Sequence, residues 1–270
     1  MKTSIARRAF FSSGRKLFHP DWSDEENARV FGKSARPHGA DCVLDVFYGG
    51  EINAQNGMIV NLADLKPVLA QAIAPLDDAF LPDDVAYFQS QRPTPENIAR
   101  FVWQQLPPQI GDATLMRVLI SEGSRVRCEI ETGSPMKITR FYEFAAAHRL
   151  HAPALSPQEN SALFGKCNNP HGHGHNYQLA VTLEGEPDAQ SGFIIAPQEL
   201  DQIVDEEVFE RYDHRNLNEE CDDFQNTVPT SENLARAIFA HLHERLKNSG
   251  YRLAKIGLNE TRKNYFEVEA

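Results

Sequence analysis

The chain has 270 residues, 41% of them hydrophobic and 24% charged, a formal net charge of −11 and four cysteines. That length leaves room for two modest domains, and no run approaches the ~18 apolar residues that a membrane-spanning helix needs. The acidic balance argues against a general nucleic-acid binder, and Cys42, Cys128, Cys167 and Cys221, with no CxxC pair, read as reduced thiols of a cytoplasmic protein.

In chain order, the Arg- and Ser-bearing start from Met1 to Leu17 superficially suggests a transit peptide but reads better as a first strand. Ser23…Glu26 is an S-x-x-E capping box opening a short helix that Gly32 ends. Thr114 to Ile120 suits a closing strand, and the polar segment from Glu131 to Pro135 reads as a linker. An apolar run, Phe141 to Ala147, then leads into His148. Ser156…Glu159 and Gly165 repeat the capped helix. His171 to Leu183 alternates like a strand, which puts His173 and His175 on one side, one pleat repeat apart. Ala196 to Tyr212 and Thr230 to Leu246 carry apolar stripes at helical spacing, and Tyr265 to Val268 suits another closing strand. The pattern is that of an α+β protein with helices on one face of an antiparallel sheet.

The same unit occurs twice. Phe11 to Leu17 lines up with Phe144 to Leu150 at an offset of 133, and Ser23 to Lys33 with Ser156 to Lys166 at the same offset. Pro93-Thr-Pro-Glu-Asn97 matches Pro229-Thr-Ser-Glu-Asn233 at 136. The expected division is 1–130 and 137–270. The copies differ in chemistry: Arg15 stands against His148, Ser34 against Cys167, and Asp77-Asp78 against Asp213-His214. The segment Pro37 to Cys42 is two residues shorter than its counterpart, so it keeps at most one histidine. An arginine cannot ligate a metal, so the first copy is expected to be metal-free and inactive. Its Glu96, Asn97 and Glu122 stand opposite Glu232, Asn233 and Glu260. A structural role is favoured for them, since Glu96 lies in a helix first turn where the macrodipole suits a carboxylate.

His148, His173 and His175 together make three imidazoles with room for an open position, the ligand set of a catalytic zinc; structural zinc usually takes four ligands rich in cysteine. Taken alone, the bland alternative is a polar, flexible His-Gly loop. For Cys167 it is a small buried hydrophobe, and for adjacent Asp213-His214 a helix cap.

In order along the chain come Phe144-Ala-Ala-Ala-His148-Arg-Leu and Phe164-Gly-Lys-Cys167-Asn-Asn-Pro-His-Gly-His173-Gly-His175-Asn-Tyr177. They are followed by Asp213-His214-Arg-Asn-Leu-Asn218, Pro229-Thr-Ser-Glu232-Asn233 and Asn259-Glu260-Thr261. This set resembles the 6-pyruvoyltetrahydropterin synthase family over residues 137–270. Five residues separate Cys167 from His173, as in the pyruvoyl enzymes. The related 6-carboxytetrahydropterin synthases of queuosine biosynthesis typically have three, a spacing that would point to His171.

The resemblance implies the tunnelling fold (T-fold), whose units assemble into barrels, and a zinc ion (Zn2+) on His148, His173 and His175. It implies Cys167 as the thiolate base, Asp213 and His214 as an acid–base pair, and Glu260 as the anchor for a pterin's paired N–H donors. Thr230 and Glu232 either assist in binding or cap their helix, capping being favoured for Thr230. Arg149, Arg215, Arg262 and Lys263 are unranked candidates for the triphosphate. The implied reaction is conversion of 7,8-dihydroneopterin triphosphate to 6-pyruvoyltetrahydropterin with elimination of triphosphate. The alternatives are 6-carboxytetrahydropterin formation, or a non-catalytic pterin-binding or zinc scaffold. The implied assembly is a homotrimer of tandem chains, a pseudo-hexamer of units in which like halves close each barrel. No nucleic-acid or membrane partner is expected.

Overall fold

A computed structural model of the chain describes residues 3–270. Cα packing divides the chain into two compact units, Met1–Thr139 with Glu184–Gln198, and Arg140–Leu183 with Glu199–Ala270.

In the first unit, β1 (Thr3–Arg15) lies antiparallel to β2 (His38–Gly50), from Thr3 opposite Gly50 to Arg15 opposite His38. β2 pairs in turn with β3 (Ala113–Glu122), and β3 with β4 (Val126–Glu131). Two residues, Ala79–Phe80, add a short parallel pairing at Ser13–Gly14 of β1. The segment expected to be a linker is a short turn in which Ser134 N–H donates to Glu131 O and Gly133 takes a φ of +79°. The longer helices among the described residues of this unit are α1 (Asp24–Phe31), α2 (Leu62–Ile73) and α3 (Pro95–Gln105). Leu65, Leu69, Ile98 and Val102 of these helices and Leu44, Val46, Val118 and Ile120 of the strands are all buried. Each such side chain contributes roughly 1.5–3 kcal/mol on leaving water. Segment 184–198 completes this core: Phe193 packs on Phe31, and Thr94 Oγ1 donates to the carbonyl of Gly192 at 2.7 Å.

The second unit repeats the order. β5 (Met136–His148) is followed by α4 (Pro157–Phe164), β6 (His173–Gly185), α5 (Pro197–Val204), α6 (Ser231–Leu246), β7 (Arg252–Thr261) and β8 (Asn264–Glu269). The strands run in the order β8-β7-β6-β5, leaving an open sheet. Ser156 and Glu159 form the full reciprocal capping box at the start of α4. At α1 only Ser23 caps, because Glu26 turns to Arg29. Gly32 and Gly165 end the two helices at a φ of +53°. The strand expected from His171 begins at His173, since Asn169 holds the N–H groups of His171 and Gly172 in a turn. The stripe expected as one helix from Ala196 to Tyr212 is α5 continued by a π turn, Asp205–Phe209, and a last helical turn, Glu210–Tyr212. Both units are α+β, with the helices supplying the apolar side chains that cover the sheet.

Candidate active site

Three histidines come together at one end of β5 and β6. One ligand nitrogen from each of His148, His173 and His175 lies within 4.8 Å of the other two. His148 ends β5 and is 1% exposed. The two histidines of β6 reach it because glycines let the strands close up. A Cβ on Gly172, at a φ of +69°, would meet the His148 carbonyl oxygen at 2.9 Å, and one on Gly174 the Ala146 carbonyl oxygen at 3.1 Å.

His148 Nδ1 donates to the carbonyl oxygen of Pro229 at 2.8 Å. A carbonyl only accepts, so that nitrogen carries the proton and Nε2 keeps its lone pair for the cluster. Burial holds the His148 and His175 rings below the ordinary histidine range, favouring the neutral form that ligates a metal. His148 Nε2 and His173 Nε2 stand 3.3 Å apart. Two Zn–N bonds of ~2.0–2.1 Å at a tetrahedral angle place their nitrogens about 3.4 Å apart. The buried Nε2 of His175 finds no hydrogen-bond partner among the described residues. Donor set, tautomer and orphaned nitrogen all fit a divalent metal such as zinc. His171 is exposed in the preceding turn and is not part of the cluster.

Glu260 of β7 faces the cluster, its Oε1 3.9 Å from His175 Nε2 and 4.0 Å from His148 Nε2. Ser231 Oγ donates to Oε1 at 2.6 Å and Asn264 Nδ2 to Oε2 at 3.0 Å. Burial works to raise this carboxyl, but those donors and the neighbouring histidines outweigh it and hold it below the ordinary range. Thr230 is the N-cap of α6, accepting from Asn233 N–H at 3.3 Å, and Glu232 is exposed in the first turn. Sequence reasoning passed over Ser231 and Asn264. The one available signal was Ser231 standing where the first copy has Pro95.

Cys167 lies half-buried in a 3-10 turn, Gly165–Asn168, whose thiol-bearing residue accepts the N–H of Leu150 through its carbonyl at 2.8 Å. That bond ties the turn to the chain two residues beyond His148. Burial pushes Cys42 up to about 12 and Cys221 up to about 11, and lifts Cys128 as well, so these three stay protonated thiols.

Asp213 and His214 form a turn beside β5. Asp213 Oδ1 accepts the Ala145 N–H at 2.8 Å and lies 2.9 Å from His214 Nδ1. His214 N–H donates to the Ala145 carbonyl at 2.6 Å, with φ at +56°. Burial opposes ionisation of Asp213, yet the Ala145 N–H and His214 keep its carboxyl low. The imidazole is 82% exposed and borders an open groove of about 420 Å³ that His175, Arg215 and Ala145–Ala147 also line. Of the other cationic candidates, Arg149 donates to Asn168 Oδ1, whereas Arg262 and Lys263 stand exposed in the β7–β8 turn.

The first unit lays out the same positions with different chemistry. Ser34 carbonyl accepts from Leu17 as Cys167 does from Leu150, and Asp77 Oδ1 accepts from Ser12 as Asp213 does from Ala145. At the place of His148, Arg15 donates to the Pro93 carbonyl at 3.1 Å and grips Glu122 through two bonds of 2.6 and 2.5 Å. His38, opposite Arg15 on β2, accepts from its Nε at 3.3 Å.

Residues 4–133 and 137–270 each match the family model described as 6-pyruvoyl tetrahydropterin synthase. A 6-pyruvoyl tetrahydrobiopterin synthase of Drosophila melanogaster is 42% identical over 127 residues, covering 47% of this chain and 75% of that protein. The Homo sapiens protein of the same name is 39% identical over 124 residues, covering 46% and 81%. A solved structure of Caenorhabditis elegans 6-pyruvoyl tetrahydropterin synthase shares 42% identity, covers 50% of this chain and 94% of its own, and superposes with a TM-score of 0.47.

Proposed function

Because the chain belongs to the 6-pyruvoyl tetrahydropterin synthase family and carries its pattern twice, we propose that the second unit is a zinc-dependent lyase and the first an inactive partner. The substrate is 7,8-dihydroneopterin triphosphate and the product 6-pyruvoyltetrahydropterin. The observation that carries this reading is the cluster of His148, His173 and His175 with Glu260 within 4.0 Å of two of the rings. Three candidate ligand nitrogens and a carboxylate able to accept two hydrogen bonds stand side by side.

His148, His173 and His175 would hold the metal, whose role is to lower the pKa of the substrate's side-chain hydroxyls. Glu260 accepts the pterin's amino and ring N–H donors together, a bidentate pairing that neutral groups match poorly. Ser231 and Asn264 each occupy one lone pair of that carboxylate and turn the others toward the ligand. Cys167, as thiolate, takes the carbon-bound proton of the side chain. His214, held by Asp213, returns a proton as the side chain is oxidised at the expense of the ring. Expulsion of triphosphate leaves the redox balance internal, so no outside oxidant is needed. Arg215, on the groove that His214 borders, is the cation best placed to meet the triphosphate. Thr230 caps α6.

We assign the first unit no turnover, because Arg15, Ser34 and Asp78 stand where His148, Cys167 and His214 do. We also propose a homotrimer of tandem chains, a pseudo-hexamer of units. Incubation of the purified protein with 7,8-dihydroneopterin triphosphate, with products identified by mass spectrometry, tests the proposal. The pyruvoyl product and inorganic triphosphate are expected. The 6-carboxy compound with acetaldehyde would move the chain to the other branch, and unchanged substrate would refute catalysis.

A further inference from the structure

In the second unit Glu260 receives single hydrogen bonds from Ser231 and Asn264. Its first-unit counterpart, Glu122, is engaged quite differently. Both of its oxygens are taken by one guanidinium, at 2.6 and 2.5 Å from Nη1 and Nη2 of Arg15. This is the fork-to-fork arrangement in which two parallel N–H donors meet one carboxylate. A pterin's recognition edge is itself a guanidine fragment, with an amino group and a ring N–H on one carbon. The side chains of Arg15 and Glu122 are 6% and 12% exposed. Glu96, buried in the first turn of α3, has an oxygen with no partner among the described residues.

We propose that Arg15 is a tethered ligand: its guanidinium fills the first unit's carboxylate anchor as a guanidine-bearing ligand would fill Glu260, so the first unit is a guanidine-recognition site closed by its own chain. Arg15 serves this role and a structural one together. Its Nη1 also satisfies the Pro93 carbonyl, the duty that His148 Nδ1 performs for Pro229. Removing the side chain while keeping Glu122 therefore opens a site for a free guanidinium cation. The likeness to a ligand rests on the reading of Glu260 as the pterin anchor. The test below uses no pterin, so the two can fail separately.

The probe is guanidinium chloride or methylguanidinium at millimolar concentrations, far below denaturing ones, on full-length protein. The variants are Arg15→Ala and Arg15→His, the latter keeping a donor for the Pro93 carbonyl. Each is expected to show a saturable rise in Tm of about 3 °C or more near saturation. Ammonium and potassium at equal ionic strength should give none, nor should guanidinium with the wild type or the Arg15→His/Glu122→Gln double variant. If either single variant is recovered unfolded, the same comparison is read as soluble yield on refolding. A response no greater for guanidinium than for ammonium, or equal in the wild type or the double variant, would overturn the proposal.

Discussion

Asp78 and His214 adopt the same left-handed backbone conformation, each at a φ of +56°, and are the two non-glycine residues with positive φ among the described residues. Each donates its N–H to the equivalent carbonyl of its unit's first strand, Ser12 at 2.7 Å and Ala145 at 2.6 Å. A strained turn has thus persisted in both copies, although the imidazole stands in only one. Outside glycine this conformation costs about 1–2 kcal/mol, less for Asp and Asn. Asp78→Gly is therefore expected to raise stability by up to about 1 kcal/mol with kcat unchanged. His214→Gly should keep or raise Tm while kcat falls ~10²–10⁴-fold. Thermal melts beside steady-state rates check both; loss of Tm in His214→Gly would show that the side chain holds the turn.

One zinc per chain is expected. Ala in place of His148, His173 or His175 should abolish binding, whereas His171→Ala, in the exposed turn, should spare it. Elemental analysis after metal-replete purification measures this, and two metals per chain would mean that the first unit also ligates.

Chemistry and binding should separate. Cys167→Ala is expected to keep metal and pterin affinity but lose turnover by ~10²–10⁴-fold. Glu260→Gln should chiefly raise KM. Ser231→Ala, which removes the 2.6 Å donor to Glu260, should raise KM less, by about 10-fold for one lost hydrogen bond to a carboxylate. Near-normal kcat in Cys167→Ala would remove the thiol from the mechanism.

Stability should depend on pH through Glu96. Burial pushes this carboxyl up to about 7 from an ordinary value of 4.5, although Ile194 N–H donates to it. A raised acid favours the folded state below the unfolded pKa, and that contribution is lost as pH rises through about 7. Glu96→Gln keeps an acceptor for Ile194 and removes the charge, so its Tm advantage over wild type should widen from pH 5 to pH 8. The ceiling is about 3 kcal/mol. An advantage independent of pH would show that Glu96 stays ionised.

The sequence by itself determined what is local. Helix starts at Ser23, Ser156 and Thr230 were legible because capping is a contact between residues three apart. The shared face of His173 and His175 was legible because a strand repeats every two residues. The internal repeat identified Arg15, Ser34 and Asp78 as the substitutions of the first copy. Only the tertiary structure decided which distant groups complete each site. The Pro229 carbonyl that sets the His148 tautomer, the Ser231 donor to Glu260, and the packing of segment 184–198 with Thr94 and Glu96 all join stretches far apart in the chain. The same holds for Arg15 and Glu122, 107 residues apart. Sequence comparison showed a histidine lost, and the fold showed that the guanidinium replacing it occupies the carboxylate opposite. Such pairings follow from strand register and close backbone approach, which no local pattern of residues encodes.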